Sequence, residues 1–133
     1  MKVNKNAGSL MLVALIFLIL STAVSDAGGV QKRVAFQEGK SSALLEGSVI
    51  RGERDVYLVR AMAGQTLRVF VGSLEDNAVF TIVDATTGKA LKGSEEGNDT
   101  KRFICTLPST GDYRIIVGGT RGNAEYIMKI EIR

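Results

Sequence analysis

The groups this 133-residue chain offers to chemistry are carboxylates, hydroxyls and guanidinium groups, since it has no histidine and one cysteine. That absence removes the commonest neutral-pH base and the commonest metal ligand. A serine or threonine nucleophile therefore lacks an evident general base. Paired carboxylates are the remaining route, because glycoside hydrolysis needs two of them close together. Glu53 and Asp55 flank Arg54 and read as a solvated charged turn. Glu95, Glu96 and Asp99 could offer oxygens to a hard cation, but their spacing matches no calcium-loop pattern, and they too read as a solvated loop. Gly118 to Gly122 do not precede a helix and make no phosphate cradle. The chain reads as a non-enzyme without cofactor or metal.

Surface recognition is what remains. Arg121-Gly122-Asn123 is expected at the exposed tip of a rigid hairpin, and Arg51 and Arg54 lie on another turn. A long cation on a short turn can enter an acidic cleft and pair with carboxylates. Whether the two turns share one end of the fold does not follow from the sequence. The formal net charge is +3, with 17 basic residues interspersed among 14 acidic ones. That balance makes no basic stripe and argues against a nucleic-acid partner. Asn98-Asp99-Thr100 fits the glycan acceptor pattern.

The chain opens with Lys2 and Lys5, then eleven unbroken apolar residues from Leu10 to Leu20, then small residues to Ala27. This is the pattern of a secretory signal peptide over 1–27, cut after Ala27 or Ser25, and the apolar run falls short of the roughly 20 residues of a membrane span. A single domain over 28–133 is expected, periplasmic or secreted, with no stable membrane span after cleavage. The lone Cys105 allows no internal disulfide and reads as a buried thiol acting as a small hydrophobe.

The elements that must position these groups are strands. The segment Leu107 to Ile132 alternates apolar and polar residues on both sides of a glycine-rich turn, with Tyr113, Ile115 and Val117, then Tyr126, Met128, Ile130 and Ile132, each on one face. It reads as a hairpin. Further strands are predicted over 30–36, 41–49, 55–60, 66–71, 78–84 and 100–107, with a short extended piece at 89–91. The polar run 92–99 lacks apolar anchors and reads as the most mobile loop. No stripe of 3.6-residue period lasts three turns. About eight short strands in one domain mean two packed antiparallel sheets or a closed barrel. An all-β antiparallel sandwich, jelly-roll-like, is the expected fold. Its expected core is Tyr57, Val59, Leu67, Val69, Val71, Phe80, Ile82, Phe103, Cys105, Leu107, Tyr113, Ile115, Val117, Tyr126, Met128 and Ile130.

Over residues 34–132 the chain resembles the bacterial pre-peptidase C-terminal-like β-sandwich domains. The resemblance is carried by the Phe36-to-Ser42 turn, Tyr57 with Ala63-Gly64-Gln65, and Gly111-Asp112-Tyr113. Within that group it is most similar to short secreted proteins that include periplasmic inhibitors of g-type lysozyme. The resemblance implies a protein partner, a secreted lysozyme, met by two loops. One is Thr110, Gly111, Asp112 and Tyr113, with Thr110 where a serine is usual. The other holds Arg121, which matches the first arginine of an Arg-rich loop, and Asn123. Glu53 stands where an aromatic is usual, after Arg51-Gly52. The alternative is an accessory module that binds cell-envelope glycan or protein.

Overall fold

The computed structural model describes residues 28–133; the predicted signal segment lies outside the described residues. Eight strands form two four-stranded sheets. They are β1 (Gln31–Arg33), β2 (Ser42–Val49), β3 (Asp55–Ala61), β4 (Thr66–Ser73), β5 (Ala78–Asp84), β6 (Arg102–Thr106), β7 (Gly111–Gly119) and β8 (Ala124–Ile132). One sheet has the order β1-β3-β7-β5 and the other β2-β8-β4-β6. All strand pairs are antiparallel except β1 with β3. The all-β sandwich expected from the sequence is the architecture observed. Among the described residues no helix is long and apolar enough to cross a membrane.

Alternation builds each inner face. In β8 the residues Ala124, Tyr126, Met128, Ile130 and Ile132 are buried, while Glu125, Ile127 and Lys129 are exposed. Strand β3 lies between β1 and β7, which explains why Val56 and Leu58 on its outer side are half-buried as well. Fourteen of the sixteen expected core residues are buried. The other two, Phe103 and Cys105, are only half-buried, because β6 is the edge strand of its sheet. Burial still pushes the Cys105 thiol up from its ordinary value. Val34, Val49, Ala61, Ala78, Leu91, Ala124 and Ile132 complete the core. Truncating a large member of this set to alanine is worth about 2–5 kcal/mol.

The expected hairpin of the last two strands does not form. β7 pairs with β3 and β5, and β8 pairs with β2 and β4, in the opposite sheet. The glycine-rich segment therefore carries the chain across the sandwich. Two inward-facing alternating strands give the same sequence pattern whether they sit side by side or face each other. Gly119 is needed at this crossing, because a Cβ there would stand 2.9 Å from the carbonyl oxygen of Gly122.

The 92–99 run is anchored, contrary to expectation. Ser94 is fully buried, and its hydroxyl lies 2.9 Å from the Leu91 carbonyl and accepts from the Ile82 amide at 3.2 Å. The anchor is a polar residue satisfied by backbone, so apolar patterning could not reveal it.

Candidate functional site

The turns that carry Arg51, Arg54, Arg121 and Asn123 meet at one end of the sandwich. The amide of Arg51 donates to Oδ1 of Asn123 at 2.8 Å, which joins the 50–54 turn to the β7–β8 crossing. Asn77, buried at the start of β5, shapes that crossing from below. Its Nδ2 donates to the carbonyls of Arg121 at 3.0 Å and Asn123 at 2.9 Å, and its own carbonyl accepts from the Thr120 amide at 2.8 Å. Three loops are thus cross-braced, and the arginines stand on a preorganised frame. Sequence reasoning missed Asn77; its signal was an asparagine closing a turn in which Asp76 takes a φ of 54°.

The three arginines differ in what their head groups meet. Arg54 pairs with Glu96 at 2.5 Å. Arg121 donates to the carbonyl oxygen of Glu75 at 2.5 Å and is otherwise exposed. Arg51 is exposed, and no ion-pair partner lies within 4.0 Å of it among the described residues. Two apolar side chains accompany them, Ile50 and Leu74, the latter 96% exposed at its turn. Arginine beside protruding apolar groups is the composition of a protein-contacting surface. Carboxylates surround this patch: Glu53, Glu75, Asp76, Glu95 and Glu96, with Lys101 neutralising Asp76 at 2.9 Å.

The other expected loop lies at the opposite end. Gly111 and Gly119 are the two ends of β7, about 26 Å apart at the rise of an antiparallel strand. Thr110 accepts a hydrogen bond from the Ala63 amide at 2.9 Å. Asp112 receives Arg33 in a two-pronged contact at 3.0 and 2.8 Å, which holds its carboxyl below the usual range, with Arg60 at 4.0 Å. Tyr113 is fully buried. Its hydroxyl donates to the Ser109 carbonyl four residues upstream at 2.6 Å, a tyrosine corner that closes the turn into β7. Ser109 Oγ donates to Asp84 at 2.7 Å, and together with the Thr86 amide holds that carboxyl below its ordinary value. Thr110, Gly111 and Asp112 thus flank a structural corner, and Tyr113 belongs to the core.

The carboxylate pair considered for catalysis is not a solvated turn. Glu53 is half-exposed, but Asp55 is 1% exposed. Asp55 accepts from the Tyr126 hydroxyl at 2.5 Å and the Val30 amide at 2.8 Å. Its two oxygens are committed to the fold. Among the described residues no group of three or more His, Cys, Asp or Glu could hold a metal ion.

No protein-family model matches the chain, and no curated protein matches it significantly. Solved structures do. The crystal structure of Aeromonas hydrophila PliG, a periplasmic inhibitor of g-type lysozyme, is similar with a TM-score of 0.69 and 25% identity over 80% of this chain and 99% of that one. Salmonella Typhimurium PliG, also a periplasmic inhibitor of g-type lysozyme, gives 0.64 and 25% over 79% and 99%. The pre-peptidase C-terminal domain of a Bacillus anthracis collagenase gives 0.55 and 16% over 82% and 100%, a likeness of fold alone. Similarity at 25% identity to lysozyme inhibitors, on a scaffold whose one end gathers arginines and apolar tips, supports a binding role for this β-sandwich.

Proposed function

We propose that this chain is a periplasmic or secreted inhibitor of a g-type lysozyme that presents Arg51 and Arg121 to the enzyme's acidic cleft. The observation that carries the reading is its likeness, at 25% identity, to inhibitors of this kind over 99% of their length. The physical support is local. Both arginines stand on turns braced through Asn123 and Asn77, so little loop entropy is lost on binding. Leu74 and Ile50 add apolar contact beside them. Arg54, held by Glu96, serves the frame more than the contact. The Thr110 loop lies at the far end of β7, and this reading assigns the contact to the arginine-bearing end alone. The test is titration of the purified protein against g-, i- and c-type lysozymes while cell-wall lysis is followed. Dose-dependent loss of g-type activity is expected, and undiminished lysis by all three would refute the reading.

The ring of carboxylates around the patch favours a second reading. Glu53, Glu75, Glu95 and Glu96 would meet an acidic cleft with like charge. An accessory module that binds cell-envelope glycan or protein has no such conflict. It predicts retention on cell-wall polysaccharide or envelope protein with no inhibition of lysozyme.

A further inference from the structure

The outer face of the β2-β8-β4-β6 sheet carries one exposed apolar side chain on each strand, set among charged ones that include Arg68, Glu125, Lys129 and Glu131, and has no covering element among the described residues. Leu44 is 68% exposed, Ile104 57%, Ile127 49% and Phe70 47%, one on each of its four strands. Between β2, β8 and β4 runs an open groove of about 1020 Å³, with Gly72 on its floor. Gly72 is the next-to-last residue of β4, has no positive φ, and would hold a Cβ at an ordinary 3.6 Å from Phe70. Nothing within the chain requires glycine there. A glycine inside a strand then marks the close approach of another chain or ligand.

The face is also polar from side to side. Glu46 lies on β2 at one edge, and Arg102 on β6 at the other. Neither has an ion-pair partner within 4.0 Å among the described residues, although the Arg102 guanidinium lies over the Phe70 ring at 5.4 Å. Ile127 is registered opposite both Gly72 on β4 and Glu46 on β2, and Arg102 opposite Phe70, one outward position along.

We propose that this face is the interface of a symmetric dimer, in which Ile127 of each copy fills the notch above Gly72 of the other. A two-fold axis parallel to the strands, between β8 and β4, lays β8 of one copy on β4 of the second. The shared register of Ile127 and Gly72 makes that contact reciprocal, as an isologous interface demands. The same operation brings the acidic β2 edge over the basic β6 edge, with Glu46 within side-chain reach of Arg102 of the second copy. A face four strands wide and nine residues long has a flat footprint on the order of 550 Å² before side-chain relief. A standard stable interface buries about 800 Å² per partner. The dimer is therefore concentration-dependent rather than obligate. The arginine-bearing turns project from the end of the sandwich and share only Leu74 with this groove, so this inference does not depend on the proposed function.

The test is sedimentation equilibrium of the purified protein from about 1 µM to about 1 mM, a range that brackets weak association. A reversible monomer–dimer equilibrium is expected. Ile127→Lys and Gly72→Ile, each checked for an unchanged circular dichroism spectrum, should weaken it at least tenfold. Glu46→Arg and Arg102→Glu should each weaken it, and the double reversal should restore it. That restoration separates this interface from unspecific apolar association. A monomer at every concentration overturns the proposal. So does a dimer indifferent to Ile127→Lys, or a monomer that instead takes up an apolar dye at this face.

Discussion

The hydroxyl of Tyr126 donates to Oδ2 of Asp55 at 2.5 Å, tying β8 of one sheet to β3 of the other across the buried interior. The Tyr57 hydroxyl lies 2.5 Å from that of Tyr126. A phenol has one proton to give, and Tyr126 gives it to Asp55, so Tyr57 donates to Tyr126. The second oxygen of Asp55 accepts from the Val30 amide and so fixes the approach of β1. One carboxyl group thus organises three strands.

Tyr126→Phe should cost about 1–3 kcal/mol, because it strips a buried acceptor of its donor. In a domain of this size each kcal/mol lowers the melting midpoint by about 4–8 °C. Tyr57→Phe should cost less, since Asp55 keeps both partners. Asp55→Ala should also free β1, which hydrogen exchange reads as lost protection of the Val34 amide, bonded to the Leu58 carbonyl.

Gly47 leaves room for this network. It pairs with Tyr126 in the β2–β8 ladder, and a Cβ at Gly47 would overlap the phenol ring. Gly47→Ala is expected to cost about 1–3 kcal/mol by overpacking. Gly72→Ala, on the outer face of the same sheet, should be tolerated in chemical denaturation, because its Cβ has space.

Stability should fall at both extremes of pH. Burial, and for Tyr126 the contact with Asp55, push both phenols above their ordinary value of 10.0. The folded state holds those protons more tightly, so the associated stability is complete below pH 10 and is lost as pH rises beyond it. Asp84 and Asp112 have the opposite sign. Their folded values lie below 3.8, so their contribution is present above that pH and fades as pH drops further. Melting curves across pH should show a plateau with two falling limbs. Tyr126→Phe should blunt the alkaline limb, and Ser109→Ala the acid one. The Arg33–Asp112 pair is exposed and should contribute little at physiological salt.

The two ends of the sandwich predict different binding outcomes. Arg121→Ala should weaken the complex with a g-type lysozyme by about 2 kcal/mol or more, as truncation of a buried arginine anchor does. Arg51→Ala should act in the same direction. Thr110→Ala, at the other end of β7, should alter affinity by less than about 0.5 kcal/mol. Calorimetric titration of the three variants checks this. Equal losses at both ends would remove the one-ended contact.

Alternation and turn residues alone made most strands legible: β5 runs from Ala78 to Asp84 as its sequence suggests, and the inward sets of β4, β7 and β8 follow the period of two. Those patterns are local, set by pleat geometry and burial. Which strand faces which is not local, and so the apparent hairpin resolved into strands of opposite sheets. The same limit hid the roles of Asp55, Asn77 and Ser94. A charged or polar residue in a turn reads as solvated until distant partners are known, and theirs lie on other strands and loops. Sequence determined that arginines would stand on turns. Only the packing of the two sheets decided that Arg51 and Arg121 share an end while Thr110 lies at the other, because β7 spans the sandwich between them.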